Sequence, residues 1–320
     1  MIEKIPVLVV AGPTASGKTG LAVRLCQTLH GEVVSADSMQ VYREMRIGTA
    51  RPTKAEMGGV PHHLLGFQPL DEQFSVSDYV RLASRTIADI YARGHLPVLV
   101  GGTGLYIRSL LQGLSFQGQG ADPVLRARLV ALAQQKGVEA LHARLAAIDP
   151  EAAAAIHPHN VKRVVRAIEI FETTGKTPTQ AARDACREEP PYDPCFLCLG
   201  FQDRAALYER IDQRVDQMLA EGLEQEARTV FAVTRSETAR QAIGYKELLP
   251  YLRGEETLAQ AADAIKRATR HYAKRQLTWF RREKDAQWLL VDTFATPDAL
   301  LEEALQRVRM KKWSGSFLCT

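Results

Sequence analysis

The run Gly12-Pro13-Thr14-Ala15-Ser16-Gly17-Lys18-Thr19 constrains this chain more than any other stretch. It fits the pattern G-x-x-x-x-G-K-T, and its surroundings fit as well. Ile5 to Ala11, just before it, is a short β-rich apolar run that reads as a buried strand. After it, Leu21, Ala22, Leu25 and Leu29 recur at the spacing of a helix packed on a sheet. Between a strand and a helix, Gly12 and Gly17 permit backbone geometry that side chains would block. Successive amides and the helix N-terminus then face an anion. Lys18 would reach phosphate oxygens, and Thr19 would help hold Mg2+. The motif asks for a phosphate ligand without saying which.

The alternation continues. Glu32 to Ala36 reads as a second strand with Asp37 at its carboxyl end, Ser77 to Ala92 as a helix, and Leu96 to Val100 as a third strand closed by Gly101-Gly102. Strand and helix in turn predict an α/β fold, a P-loop NTPase-like parallel sheet flanked by helices. Around Gln112 to Asp122 the composition shifts to Gly, Gln and Ser, and the Ala-, Arg- and Leu-rich stretch that follows has no convincing strand. These signals predict a P-loop core domain from residues 1–114 and 190–320, interrupted by a helical insertion domain, 115–189. Glu188-Glu189-Pro190-Pro191-Tyr192-Asp193-Pro194 reads as a stiff return linker. Cys195 to Gly200 reads as a strand rejoining the sheet, and Trp288 to Val291 as another strand in a mostly helical remainder.

Several classes drop out. No apolar run approaches the ~20 residues of a membrane span. Met1-Ile2-Glu3-Lys4 leaves no room for a signal peptide, and five scattered cysteines suit reduced thiols, so a cytoplasmic location is expected. Cys195-Phe196-Leu197-Cys198 lacks partners at zinc spacing and reads as small buried apolar residues. His62-His63 reads as structural or near a substrate entrance. The net charge of +4 is mild, but Lys and Arg concentrate at 162–166 and 266–284, which favours a polyanionic partner. An apolar strand ending in Asp, the usual Mg2+ support of a nucleotide hydrolase, is missing. The third strand ends in Gly101-Gly102-Thr103-Gly104, and the strand-end carboxylate close behind the loop is Asp37. That pattern favours group transfer to a second substrate over hydrolysis.

From Ser35-Ala36-Asp37-Ser38-Met39-Gln40-Val41-Tyr42 to Ala50-Arg51-Pro52 the chain resembles the tRNA dimethylallyltransferase (isopentenyltransferase) family. The resemblance runs on through Pro61-His62-His63-Leu64-Leu65, Phe74 to Tyr79 and Val98 to Tyr106. It includes Arg163-Val164-Val165-Arg166-Ala167-Ile168-Glu169, Arg240-Gln241-Ala242-Ile243-Gly244-Tyr245 and Ala273 to Arg282. It departs at His157-Pro158-His159-Asn160, where much of the family has Asn-Asp after His-Pro.

The resemblance implies dimethylallyl diphosphate as donor, Mg2+ as the ion, and N6 of adenosine 37 in a tRNA anticodon stem-loop as acceptor. Oligomeric state is not readable from the sequence; a monomer without an obligate protein partner or membrane attachment is expected. The diphosphate would lie in the loop from Gly12 to Thr19, held by Lys18, by Thr19 through Mg2+, and by an arginine clamp, Arg214 ahead of Arg210. Asp37 maps onto the family's catalytic aspartate and would take the amine proton; a structural or Mg2+-bound aspartate is the alternative. Arg210 and Arg214 share a helix face, and pairing with Glu209 or Asp212 as solvated arginines is their alternative. The family further assigns Asp37, Ser38, Met39, Gln40, Thr103 and Arg126 to tRNA contact, with Val161, Lys162, Arg163, Val164 and Val165, and with Arg240, Gln241, Ala242, Ile243, Gly244 and Tyr245. Thr103 could instead be a helix N-cap, and Arg126 an ordinary surface charge. A small-metabolite P-loop kinase shares the loop and an acceptor aspartate, and a non-catalytic RNA-binding P-loop protein would bind without turnover.

Overall fold

A computed structural model describes residues 4–114, 122–185, 189–233, 237–311 and 313. Six strands form one parallel sheet: β1 (Ile5–Ala11), β2 (Gly31–Ser35), β3 (His62–His63), β4 (Leu96–Gly101), β5 (Tyr192–Gly200) and β6 (Gln287–Leu290). Their order is β3-β2-β4-β1-β5-β6, and every neighbouring pair is parallel. β1, β2 and β4 are buried almost throughout because helices cover both faces, so β1 and β4 read as unbroken apolar runs, while β2 buries Glu32 and Ser35 beside Val33 and Val34. Side chains nonetheless alternate. Leu8 and Val10 join a core with the helices Lys18–Leu29 and Pro297–Met310, whereas Val7, Val9 and Ala11 join one with Val76–Ala92 and Gly104–Leu111.

The predicted stiff linker is shorter than expected. Tyr192, Asp193 and Pro194 already pair with Ile5, Pro6 and Val7 as the start of β5. Pro194 is tolerated because β6 pairs with β5 only from Leu197 onward, so no second ladder needs its missing N–H. The last strand ends at Leu290, and Val291 opens a 3-10 turn instead. β3 has only two residues and no periodicity to read. It is fastened by Glu32 of β2, whose buried carboxylate bonds His63 Nε2 (2.7 Å), His95 Nδ1 (2.6 Å) and Arg93. The Arg93 bond, more than the two histidines, holds Glu32 down at about 2 against the opposing effect of burial.

The chain divides into two compact units, Met1–Leu111 with Pro191–Thr320, and Gln112–Pro190. The second unit is helical: Pro123–Lys136, Val138–Ile148, Pro150–Ala155, Val161–Thr174 and Pro178–Ala185. It has its own core, including Leu129, Leu141, Leu145, Val164 and Ile168. The Gly-, Gln- and Ser-rich shift falls mostly on residues 115–121, which with Glu188 lie outside the described residues. No helix of the described residues is long and apolar enough to cross a membrane.

Candidate active site

The loop after β1 has the backbone that its glycines predict. Gly12, Ala15 and Gly17 have φ of 147°, 61° and 85°, and a Cβ on Gly12 would stand 2.8 Å from the Leu199 carbonyl oxygen. Gly17 caps the helix Lys18–Leu29 in a left-handed conformation with no side-chain cap, so the helix's first amides remain open to an anion. Ser16 is buried, and its Oγ has no partner among the described residues. Lys18 folds back so that Nζ donates to the Pro13 carbonyl at 2.7 Å. Removal from water lowers the Lys18 ammonium to about 8; the nearby Arg214 charge pushes the same way and Asp37 opposes both. Burial lowers Arg214 as well, again with Asp37 opposing.

Both candidate clamp arginines therefore reach the loop from the helix Arg204–Ala220. Arg214 shares a field with Lys18 and Asp37, while Arg210 Nη2 would lie 3.5 Å from a Cβ on Gly17. Asp212, their proposed neutralising partner, is taken by Arg270 at 2.8 Å. Glu209, the other named partner, accepts from Gln213 Nε2 at 3.2 Å, and Arg210 is exposed, so for Arg210 the reading as a solvated arginine stands beside that of a clamp.

At the end of β2, Asp37 Oδ1 accepts from the backbone N–H of Met39 (2.9 Å) and Gln40 (3.3 Å). No described residue donates to Oδ2. Thr103 faces it from the end of β4: its Oγ1 accepts from the Ser38 N–H at 3.0 Å and donates to Ser38 Oγ at 3.3 Å. The Thr103 side chain therefore ties two strand-end loops and is not occupied as a helix cap. Burial, with Asp37 contributing, raises the Tyr106 and Tyr272 phenols, which keeps both protonated as donors.

Gln276 had no role in the sequence reading. It is buried on the helix Leu258–Phe280, where Nε2 donates to the Gly102 carbonyl (3.0 Å) and Oε1 accepts from the Thr14 N–H (2.9 Å). One side chain so fastens the phosphate loop to the end of β4. The available signal was an amide on the apolar stripe of Ala273 and Phe280. Gly102 and Gly104 are needed for this approach, since a Cβ on either would fall 2.1 Å from Gln276 Nε2 or Trp279 Cδ1.

The expected tRNA contacts divide. Val164 and Val165 are packed in the helical unit's core, which leaves Lys162 and Arg163 exposed and Val161 half-buried in that segment. Their spacing with Ile168 is a core stripe, so side-chain contact with RNA is corrected for these two valines. Ala242 and Tyr245 are also buried, with Gln241 exposed and Ile243 half-buried; Gly244 is buried, and Arg240 lies over the Phe231 ring. Arg126 is held by the buried Glu169 carboxylate at 2.8 and 2.9 Å, a structural pairing that still leaves it partly exposed.

Cys195 and Cys198 are buried free thiols, pushed up by burial to about 11 and about 12. Among the described residues no three His, Cys, Asp or Glu side chains could hold a metal together. The single hydroxyl of Thr19 beside an anion cradle instead suits an ion such as Mg2+, which takes most of its ligands from phosphate and water.

Comparison with known proteins places this geometry in context. A family model described as IPP transferase matches residues 40–283. The chain is 48% identical over 286 residues to the tRNA dimethylallyltransferase of Bacillus subtilis, covering 89% of this chain and 90% of that protein. It is 42% identical over 305 residues to the tRNA dimethylallyltransferase of a Thermoanaerobacter species, covering 94% and 97%. Among solved structures it resembles the full-length tRNA isopentenylpyrophosphate transferase of Bacillus halodurans, with 44% identity, a TM-score of 0.72, and 96% and 97% coverage. It also resembles a eukaryotic dimethylallyltransferase acting on tRNA, with 27% identity, a TM-score of 0.81, and 97% and 81% coverage.

Proposed function

This chain belongs to the IPP transferase family, that of the tRNA dimethylallyltransferases, and from that premise we propose that it moves the dimethylallyl group of dimethylallyl diphosphate to N6 of adenosine 37 in the tRNA anticodon stem-loop. The products are N6-(dimethylallyl)adenosine and diphosphate. The observation that carries the reading is the shared field of Lys18, Arg214 and Asp37: two cations at an open phosphate loop, with a carboxylate oxygen free beside them.

The diphosphate lies against the amides from Gly12 to Thr19, with Lys18 and Arg214 on its oxygens and Arg210 at the lip. When bound, Mg2+ held through Thr19 neutralises part of the diphosphate charge. Adenosine 37 leaves the stack of the anticodon loop to reach the strand ends. Its N6 lone pair forms the new carbon–nitrogen bond as the C1–oxygen bond breaks, and that electron pair leaves on diphosphate, where the fixed cations stabilise it. The N6 proton passes to Asp37 Oδ2. Met39 and Gln40 amides hold the other oxygen and so orient the carboxylate. Half-buried Ser38, Met39 and Gln40 and exposed Lys162, Arg163 and Gln241 are the groups left to meet RNA. One chain supplies every group named, so a monomer in the cytoplasm suffices.

The test is incubation with dimethylallyl diphosphate, Mg2+ and unmodified tRNA, followed by nucleoside mass analysis. The expected product is N6-(dimethylallyl)adenosine; ATP-dependent phosphorylation of a small molecule with no prenylated nucleoside would overturn the reading. Asp37→Asn should lower kcat by about 100-fold or more, the range of a lost general base, with donor binding nearly unchanged. Activity within a few-fold of the parent would remove Asp37 as the base.

A further inference from the structure

Glu226 lies far from Asp37 in sequence, on the helix Leu223–Val233, and has no part in the chemistry above. Its carboxylate nevertheless accepts four hydrogen bonds. Oε2 takes the backbone N–H groups of Arg46 and Ile47, each at 2.9 Å; Oε1 takes the Gly48 N–H at 2.9 Å and the Tyr245 hydroxyl at 2.7 Å. Three successive amides turned onto one anion form a nest, which adds to the loop's own bonds from the Ala50 N–H to the Ile47 carbonyl (2.8 Å) and from the Arg51 N–H to the Arg46 carbonyl (3.0 Å). Charge-assisted bonds of this kind are the strong ones.

The loop so fixed is in turn a support. Beyond Gly48, the carbonyl oxygens of Thr49 and Ala50 accept from Gln40 Nε2 at 3.0 and 3.2 Å. The Gln40 backbone N–H donates to Asp37 Oδ1. A continuous set of hydrogen bonds therefore leads from Glu226 through the 46–50 loop and Gln40 to the carboxylate at the end of β2. Tyr245 closes the arrangement from below. Its buried ring lies so near the loop that a Cβ on Gly48 would fall 2.6 Å from it.

We propose that Glu226 is a positioning residue for the acceptor side of the reaction, holding the 46–50 loop so that Gln40 and Asp37 meet the incoming adenosine in a fixed register. The proposal rests on the tRNA prenyl-transfer reading. It also gives buried Tyr245 a role as a strut under Glu226 rather than as a side chain touching RNA. Among the described residues, the donor side, built from the phosphate loop, Lys18 and Arg214, shares no hydrogen bond with this set.

The test is steady-state kinetics on Glu226→Gln, whose amide cannot accept on both arms, and on Gly48→Ala, which leaves the carboxylate intact but pushes the loop against Tyr245. Each variant is assayed well below its own melting temperature, with tRNA and with dimethylallyl diphosphate varied in turn. In Glu226→Gln, kcat/KM for tRNA should fall at least tenfold while KM for dimethylallyl diphosphate stays within twofold. Should that variant fail to fold, Gly48→Ala is read by the same criterion. A smaller loss for tRNA in the folded variant, or an equal change in the donor KM, overturns the positioning role. A parent enzyme that forms no prenylated tRNA instead overturns the functional reading on which it stands.

Discussion

At the scale of the residue, Lys18 shows how the site is balanced before any substrate arrives. Water is partly excluded around it and Arg214 adds a like charge, so its ammonium is held at about 8, below the ordinary 10.5. The unfolded chain therefore binds this proton more tightly than the fold, and the unliganded fold gains stability as pH rises from about 8 towards 10.5. A diphosphate reverses the balance, because its charge favours the ammonium. Donor binding should take up a proton near pH 8, and affinity should fall as pH rises through that value, by at most about tenfold per pH unit. Titration calorimetry in two buffers of different ionisation enthalpy measures both effects. In Lys18→Arg the cation stays charged throughout, so the pH slope should vanish; a slope that persists would place the titration elsewhere. Lys18 and Asp37 were legible in the sequence because their motifs fix one to the start of a helix and the other to the end of a strand. Glu226 and Gln276 were not, because their partners are backbone groups of distant segments, which no side-chain pattern records.

At the scale of the element, the central strands were legible for a physical reason. Covered on both faces, β1 and β4 must be apolar at nearly every position, and such runs stand out. β3 could not stand out, since two residues carry no period and the strand is held by side-chain bonds to Glu32. The helix Leu258–Phe280 opens on a capping box of Thr257 and Gln260 and falls in the remainder read as mostly helical, but its most consequential bond was not legible. Gln276 joins the phosphate loop to the end of β4, and so sets the donor cradle against Thr103. Gln276→Leu keeps the volume and removes both bonds, stranding the Thr14 N–H and the Gly102 carbonyl. At roughly 1–3 kcal/mol for each of the two stranded groups, unfolding in denaturant should show a loss of about 2–6 kcal/mol, towards the lower end because the Thr14 N–H is part-buried. KM for dimethylallyl diphosphate should rise with it. A loss below about 1 kcal/mol with an unchanged KM would mean that the loop keeps its shape without the amide.

At the scale of the whole molecule, the chain is two units with separate cores, and this separation makes a division of labour testable. The change in composition near Gln112 was legible, but the valines of the segment 161–165 misled. In a helix that begins with exposed Lys162 and Arg163, family resemblance alone does not tell a surface residue from a core one, whereas the spacing of Val164, Val165 and Ile168 does. Val164 is wholly buried among Leu, Ala and Ile side chains, so Val164→Asp puts an unpaired carboxylate into a small apolar core. A five-helix unit of that size has no reserve to absorb it, and the unit should unfold while the sheet, with its own two cores, stands. The phosphate loop belongs wholly to the sheet unit. Binding of dimethylallyl diphosphate should therefore stay within about twofold of the parent, and transfer to tRNA should be lost together with the proposed contacts from Lys162 and Arg163. Near-parent transfer would show that the helical unit is dispensable for the acceptor. A loss of donor affinity beyond tenfold would show instead that the phosphate loop depends on the helical unit, and the two readouts tell these outcomes apart.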